Sequence, residues 1–215
     1  MSWRAWSCTS SSTARSRSGA ERNTIADPES ALTPADRAAL LALARSAITA
    51  ALAGDSPPEL PDVPGAVLRR GAFVTLEEQE GRRGGDLRGC IGHVMNDRPL
   101  GEVIRQVAVS AARSDPRFPP VQLHELSALR IGISVLEPPV RVAAADLCRL
   151  VIGRDGLLVR RGRAQAVLLP QVAIEQGLGP EAFLNAVCHK AGLAAGSWRE
   201  PDTQVFTFTA DVFVE

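Results

Sequence analysis

The chain has 215 residues, 45% of them hydrophobic, and its 24 basic and 24 acidic residues give a formal net charge of zero. This length and composition suit one globular domain, or a domain with a subdomain, that buries a substantial core. The balanced charge argues against a nucleic-acid binder or a membrane-surface protein, and no apolar run approaches the ~20 residues that span a bilayer.

The four cysteines, Cys8, Cys90, Cys148 and Cys188, lie far apart and form no C-x-x-C pair. Widely spaced cysteines in a chain of this size favour reduced thiols in the cytoplasm, and they exclude a local iron–sulfur motif. We therefore expect a cytoplasmic protein without a metal centre or another cofactor. The oligomeric state stays open at this point.

Residues 1–30 differ in composition from the rest of the chain. The stretch Met1–Ala20 is rich in Ser and Arg, has no acidic residue and lacks the apolar core of a secretory signal. A transit peptide has a similar composition, but we favour a disordered tail or a start codon assigned too early. The folded domain is therefore expected to occupy residues 31–215.

Two amphipathic helices are predicted in the first half of this domain. The first begins at Thr33–Asp36, which supplies a capping hydroxyl, a proline in the first turn and an acid, and it ends at Gly54. The second covers Pro99–Arg113, where an apolar stripe recurs at helical spacing until the Ser114–Pro120 segment. Both helices should pack their apolar stripes on a sheet.

A β-hairpin is predicted between the two helices. Gly71–Leu76 has the composition of a strand, and the turn-forming stretch Gly81–Asp86 leads directly into Leu87–Gly92. The segment Leu87–Gly92, with the sequence LRGCIG, is therefore expected to form the second strand of the hairpin.

The second half is predicted to contain mainly strands and one helix, which runs from Pro180 to Ala191. The predicted strands are Leu129–Leu136, Leu150–Ile152, Leu157–Val159, Ala166–Leu169 and Thr203–Val214. Leu150–Ile152 and Leu157–Val159 flank a D-G turn, and alternate residues from Phe206 to Val212 should share one face. Because hairpins outnumber βαβ units, the fold class is predicted as α+β, a mainly antiparallel sheet flanked by helices.

Cys90 is the first candidate for chemistry because it lies between Gly89 and Gly92, close to Arg88. On an extended strand Arg88 and Cys90 point to the same face, where a cation favours the nucleophilic thiolate. The alternative is structural, because cysteine is often buried and flanking glycines allow close packing. Both interpretations stay open, with the structural one slightly favoured.

The loop that follows the second helix contains a second candidate group. Pro116 restrains Asp115, so Asp115 and Arg117 are held on a stiff loop that could bind a carboxylate or a phosphate. Alternatively, an Asp–Arg pair could fasten this loop to the body of the protein. Glu125 could neutralise an arginine or act as a general base.

Two histidines and a lysine complete the candidate set. His93 follows Cys90 by three residues, which on a strand places it on the opposite face, and His189 offers another partner for the thiol. Lys190 could bind a ligand, but a cation near a helix C-terminus also stabilises the helix dipole. The histidine spacings match no metal motif.

The LRGCIG segment resembles the signature of the AMMECR1 domain family, and further blocks follow in order and with similar spacing. These blocks are Ser114–Phe118, Ile133–Leu136, Ile152–Leu157, Leu168–Ala173, Lys190–Leu193 and Trp198. The resemblance extends over residues 32–215 and leaves out the Ser/Arg-rich beginning.

This resemblance implies an α+β fold with a larger and a smaller subdomain and a cleft between them. It also implies component A of a bacterial AmmeMemoRadiSam system, which acts with Memo-like and radical-SAM proteins. The reaction of the family is not settled, so the resemblance supplies no substrate.

Three functions therefore stay open. The first is a component of this system in which Cys90, supported by Arg88 and the Asp115–Arg117 loop, takes part in modifying a small molecule or a macromolecule. The second is a non-catalytic binding or scaffold module. The third is RNA or DNA handling, suggested by pairs such as Arg69-Arg70 and Arg160-Arg161 and opposed by the zero net charge.

Overall fold

The computed structural model describes residues 31–79 and 85–215. The α-helices are α1 (Pro34–Ala53), α2 (Leu100–Arg113), α3 (Pro170–Glu175) and α4 (Pro180–Lys190). The strands are β1 (Gly71–Glu78), β2 (Leu87–His93), β3 (Leu129–Leu136), β4 (Val140–Val142), β5 (Gly156–Arg161), β6 (Ala164–Leu168), β7 (Gln204–Phe208) and β8 (Ala210–Val214). The 3₁₀ helices are Pro64–Val67, Leu123–Ala128, Ala144–Arg149 and Ser197–Arg199. The tail predicted for residues 1–30 and most of the predicted turn after β1 lie outside the described residues.

Helix α1 begins with the capping box that the sequence predicts. The Asp36 N–H donates to Oγ1 of Thr33 at 3.2 Å, and the Thr33 N–H donates to the Asp36 carboxylate at 2.9 Å. The same carboxylate accepts the N–H of Gly65 at 2.7 Å, and Asp36 is buried. One side chain therefore both starts the helix and fastens the 3₁₀ helix at Pro64–Val67 to it.

The chain divides into two units, and the larger one comprises residues 31–140 and 207–215. Its four-stranded antiparallel sheet has the order β2-β1-β3-β8, and α1 and α2 contact the sheet. The core contains alternate residues of β1 and β3 and the apolar stripes of both helices. Fully buried members include Leu40, Ile48, Ala72, Val74, Leu76, Leu100, Ile104, Ile131 and Ile133.

The smaller unit comprises residues 141–206 and has its own core. Its sheet has the order β4-β7-β5-β6, and α3 and α4 contribute apolar side chains to the core beneath it. Phe183, Leu184 and Val187 of α4 are fully buried there, together with Leu157 of β5. Antiparallel pairing flanked by helices confirms the predicted α+β class.

The predicted strand Leu150–Ile152 is wrong, although the turn after it and the strand Leu157–Val159 are present. The N–H groups of Arg154 and Asp155 donate to the carbonyl of Val151, and the Asp155 carboxylate accepts the Val151 N–H at 2.8 Å. Both backbone polar groups of Val151 are therefore bonded within the turn and do not pair with a neighbouring strand. Strand β5 pairs instead with β6 across Gly162, whose φ of 55° suits a two-residue hairpin turn.

The predicted last strand, Thr203–Val214, is two strands in two different sheets. Strand β7 belongs to the sheet of the smaller unit and β8 to that of the larger unit, and Thr209 separates them. The predicted face is therefore also wrong, because Val205, Phe208 and Phe213 are buried whereas Val212 is 51% exposed. Period-2 patterning marks strand character and carries no information on which sheet a strand joins.

Helix α3 and strand β4 have no counterpart in the sequence prediction, because each is too short for a periodic pattern. None of the helices in the described residues is long and apolar enough to cross a bilayer.

Replacing Asp36 with Ala should lower the free energy of unfolding by about 2 kcal/mol, because three hydrogen bonds to a buried carboxylate are lost together. Chemical denaturation followed by circular dichroism measures this change. Asp55, which is exposed just after α1, gives the matched control. An Asp36 variant as stable as Asp55→Ala would contradict the assigned role.

Candidate functional site

The β1–β2 hairpin places Thr75 directly opposite Cys90 and contains an irregularity next to this pair. Leu76 lies opposite Gly89, whereas Glu77 lies opposite Leu87, so Arg88 is the extra residue of a β-bulge. A bulge interrupts the alternation of side chains along a strand. The direction of Arg88 therefore does not follow from simple counting back from Cys90.

The Cys90 thiol is half-buried on the sheet face that is turned away from the helices. Val74 and Leu76 of β1 point into the core, so Thr75 between them, and Cys90 opposite it, lie on the other face. The Thr75 hydroxyl Oγ1 lies 3.2 Å from the Cys90 Sγ and donates to it. A donor interacts more favourably with a thiolate than with a neutral thiol, because the acceptor is then charged.

The main chain of Cys90 is held by two side chains from the loop after α2. Strand β2 is at the edge of its sheet, so alternate N–H and C=O groups lack a neighbouring strand. The Cys90 N–H donates to Oδ2 of Asp115 at 2.8 Å, and Nη2 of Arg117 donates to the Cys90 carbonyl at 3.3 Å. The Asp–Arg pair thus occupies the place of a neighbouring strand.

Asp115 and Arg117 form a pair with one buried and one exposed partner. Oδ1 of Asp115 accepts from the backbone N–H of Arg117 at 3.1 Å and from its Nε at 2.9 Å, and Oδ2 accepts from Nη2 at 2.7 Å. The Asp115 side chain is 2% exposed and that of Arg117 is 53% exposed. Arg117 is therefore the partner that contacts solvent.

These contacts change the ionisation of both groups. Hydrogen bonding to Arg117 holds the pKa of the Asp115 carboxyl far below its usual range, against the opposing effect of burial, and the Cys90 N–H lowers it further. The pKa of Arg117 is raised, mainly by its hydrogen bond to Asp115 and also by its electrostatic interaction with Cys90. The cation beside the thiol is therefore Arg117.

Arg88 is committed to another partner. Its Nε and Nη2 donate to the two carboxylate oxygens of Glu125 at 3.0 and 3.2 Å, and Nη1 donates to the Pro119 carbonyl at 2.8 Å. Hydrogen bonding to Arg88 lowers the pKa of Glu125, which also accepts the Gln122 N–H at 2.7 Å. Arg88 and Glu125 thus fasten the segment 119–125 to β2.

The two glycines beside Cys90 have a steric reason. A Cβ on Gly89 would lie 2.3 Å from the carbonyl oxygen of Ala111, at the end of α2. A Cβ on Gly92 would lie 2.4 Å from the Ala72 carbonyl oxygen and equally close to the Phe73 ring. Both glycines therefore permit a close approach of backbone that a side chain would prevent.

The other predicted site residues, His93, His189 and Lys190, are not part of the group formed by Cys90, Thr75, Asp115 and Arg117 in the larger unit. His93 is exposed at the end of β2, and the regular register from Gly89 onwards puts it on the face opposite to Cys90. His189 and Lys190 are at the end of α4 in the smaller unit, where Nζ of Lys190 donates to the Val167 carbonyl at 3.0 Å. Across residues 31–79 and 85–215, no three His, Cys, Asp or Glu side chains are arranged to hold a metal.

Comparison with known proteins decides the family. The AMMECR1 family matches residues 41–213, and a protein from Methanothermobacter thermautotrophicus is 44% identical over 184 residues, which are 82% of this chain and 92% of that protein. The chain belongs to the AMMECR1 family. Protein TK0174 from Thermococcus kodakarensis is 44% identical over 163 residues, 74% of this chain and 78% of its own length.

A solved structure supports the same assignment. The crystal structure of the uncharacterized protein PH0010 from Pyrococcus horikoshii has a TM-score of 0.78 to this chain at 40% identity, and it covers 82% of this chain and 89% of its own. The predicted membership of the AMMECR1 family is therefore confirmed, as is the α+β fold of this AMMECR1 domain.

Thr75 is the residue of the site that sequence reasoning missed. A threonine on a strand has an ordinary structural explanation, and the register of the hairpin could not be fixed while the turn length and the bulge at Arg88 were unknown. The available signal was the predicted pairing of β1 with β2. That pairing places several β1 residues within reach of Cys90 without selecting one.

Replacing Gly89 with Ala should destabilise this AMMECR1 domain by about 2 kcal/mol or more, because the new methyl group overlaps the backbone of α2. Gly179→Ala is the control, since nothing lies within 4 Å of a Cβ there and its φ is −77°. Urea denaturation measures both. Equal stability of the two variants would refute the assigned close packing.

Replacing Asp115 with Asn should cost about 2 kcal/mol, since a buried charge-assisted set of hydrogen bonds is weakened. The pKa of Asp115 is lowered by folding, so its contribution is complete above its ordinary value near 4, begins to decrease as the pH falls below that value, and is fully lost only below the lower pKa of the folded state. Unfolding free energies between pH 7 and pH 3 should therefore fall less steeply for Asp115→Asn than for the wild type. Parallel curves would contradict this account.

Proposed function

We propose that the protein is component A of an AmmeMemoRadiSam system and acts in the cytoplasm with Memo-like and radical-SAM proteins. Its role is to present the Cys90 thiol as the reactive group when a small molecule or a macromolecule is modified. Family membership supports the setting. The observation that carries the chemistry is that half-buried Cys90 accepts a hydrogen bond from Thr75 at its sulfur and one from the guanidinium of Arg117 at its carbonyl.

This arrangement suits a nucleophile or a covalent carrier. The Thr75 hydroxyl and the Arg117 cation both stabilise negative charge on sulfur, and a thiolate attacks carbon without a base to remove its proton. His93 lies on the opposite face of β2, so the proposal does not assign it as the base. Arg88 and Glu125 act as positioning residues through the backbone of the loop.

A specific observation favours a second function, a non-catalytic binding module. Asp115, Glu125 and Arg88 bind groups of the protein itself, as expected if the LRGCIG segment serves packing. The two functions differ in the reactivity that they require of Cys90. A packing role needs no activated sulfur, whereas the leading proposal requires one.

Nucleic-acid handling receives less support from the same structure. Several arginines that suggested it are bound to acidic or polar side chains: Arg70 pairs with Glu137, Arg161 with Asp202, and Arg160 with Gln165. Paired arginines contribute little to the electrostatic attraction of phosphates.

Iodoacetamide labelling at pH 7, measured for each cysteine by peptide mass spectrometry, tests the proposal. Cys90 should react at least about ten times faster than Cys148, which is similarly half-buried, because Thr75 and Arg117 favour its thiolate. Cys188 should react only after denaturation, since it is buried and burial raises the pKa of its thiol. Thr75→Val, which removes the hydroxyl with little change in shape, should slow Cys90 several-fold.

A Cys90 that reacts no faster than Cys148 would favour the binding module. The partner assignment is tested separately by co-expressing the chain with Memo-like and radical-SAM proteins and comparing the small molecules and proteins of the cells by mass spectrometry. Cys90→Ser should abolish any product of the complete set, whereas Cys148→Ser should preserve it. Product formed equally well by the folded Cys90→Ser variant would exclude a reactive role.

A further inference from the structure

The guanidinium of Arg117 is only partly used by the protein. Its Nε and Nη2 bind the Asp115 carboxylate and the Cys90 carbonyl. Within residues 31–79 and 85–215, Nη1 of Arg117 makes no hydrogen bond, and the side chain is 53% exposed. A guanidinium has five N–H donors in a fixed fork, so two donors on Nη1 remain for another molecule.

The Asp115–Arg117 pair presents its positive end to solvent although it is neutral as a whole. Within the described residues, the side-chain carboxylate of Asp115 accepts hydrogen bonds from Arg117 and from the Cys90 N–H, and it is buried. Two acidic side chains of this region, Glu77 in β1 and Glu125 after the loop, each bind an arginine of their own. An anion that approaches this pair therefore meets the exposed Arg117 cation and not the buried Asp115 carboxylate.

We propose that the Cys90 site takes a small molecule that carries a carboxylate next to an electrophilic carbon. This inference rests on the proposed function and adds the substrate class. Nη1 of Arg117 binds the carboxylate, Thr75 stabilises the attacking sulfur, and Asp115 is a positioning residue that fixes Arg117 to the Cys90 backbone. One exposed, partly compensated cation suits a singly charged carboxylate better than a doubly charged phosphate.

The covalent step that follows is a simple displacement. The Cys90 thiolate attacks the electrophilic carbon, a sulfur–carbon bond forms, and the bond to the leaving group breaks with its electron pair going to that group. No oxidation or reduction occurs and no further reactant is required. Arg117 contributes by holding the carboxylate while the carbon next to it faces the sulfur.

Iodoacetate and iodoacetamide provide a matched pair of probes, because both lose iodide to a thiolate and they differ in charge. The measured quantity is the ratio of the iodoacetate rate to the iodoacetamide rate at Cys90, divided by the same ratio for a free cysteine peptide in the same tube. At low salt we expect this quotient to be about five to ten, and it should decrease as salt screens the charge of Arg117.

Two arginine variants make the test specific. Arg117→Gln should bring the quotient to about one, and Arg117→Lys should restore part of the preference because the charge returns. Arg154→Gln is the control. Like Arg117, Arg154 is exposed (61%) and donates from Nε and Nη2 to a buried carboxylate, that of Asp155. Asp155, however, holds a turn of the smaller unit by accepting the Val151 N–H. Thermal melts and the iodoacetamide rate report whether each variant is folded and its thiol accessible.

The outcomes separate this inference from the proposed function. A quotient near one in the wild type, with rapid reaction of Cys90 with iodoacetamide, overturns the carboxylate preference and leaves the reactive thiol intact. An elevated quotient that persists in folded Arg117→Gln overturns the role of Arg117. A Cys90 that reacts with neither reagent overturns both proposals.

Discussion

The hydrogen bond from the Cys90 N–H to the Asp115 carboxylate is the contact on which the arrangement around LRGCIG depends. An edge strand has unpaired backbone groups, and a carboxylate buried beside one needs a cation. Arg117 supplies that cation and bonds the Cys90 carbonyl as well, so one pair of side chains closes the sheet edge. Because Gly89 lets the end of α2 approach β2, the loop that carries this pair begins at the right place.

The bulge at Arg88 separates two tasks that a regular strand would combine. Arg88 and Glu125 hold the segment after the loop, while Arg117 reaches the residue that carries the thiol. Under the proposed function, fastening and chemistry therefore involve different arginines of the same small region. A structural interpretation of Asp115, Arg117 and Glu125 is therefore compatible with a functional interpretation of Cys90, since the first set creates the surroundings of the second.

Much of the fold could be predicted because local signals agreed with the final structure. The capping box at Thr33–Asp36, the apolar stripe of α2 and the hairpin around LRGCIG follow from nearest neighbours in the sequence. One error arose where distant pairing decides, in the division of Thr203–Val214 between two sheets. The other arose at Val151, where hydrogen bonds within a turn replace the predicted strand. At the site, side-chain alternation predicted Arg88 beside Cys90, but the bulge and the Glu125 carboxylate gave Arg88 another partner.

The division between β7 and β8 also bears on the order of assembly during synthesis. The smaller unit is continuous in sequence, whereas the larger one is completed by residues made after the whole of the smaller unit. Until β8 leaves the ribosome, β3 has an open edge and Phe213 is missing from the core. The smaller unit can thus form its own sheet, except for the end of β7, before the larger unit is complete. During the synthesis of residues 141–209 the nascent chain therefore has an unpaired edge at β3.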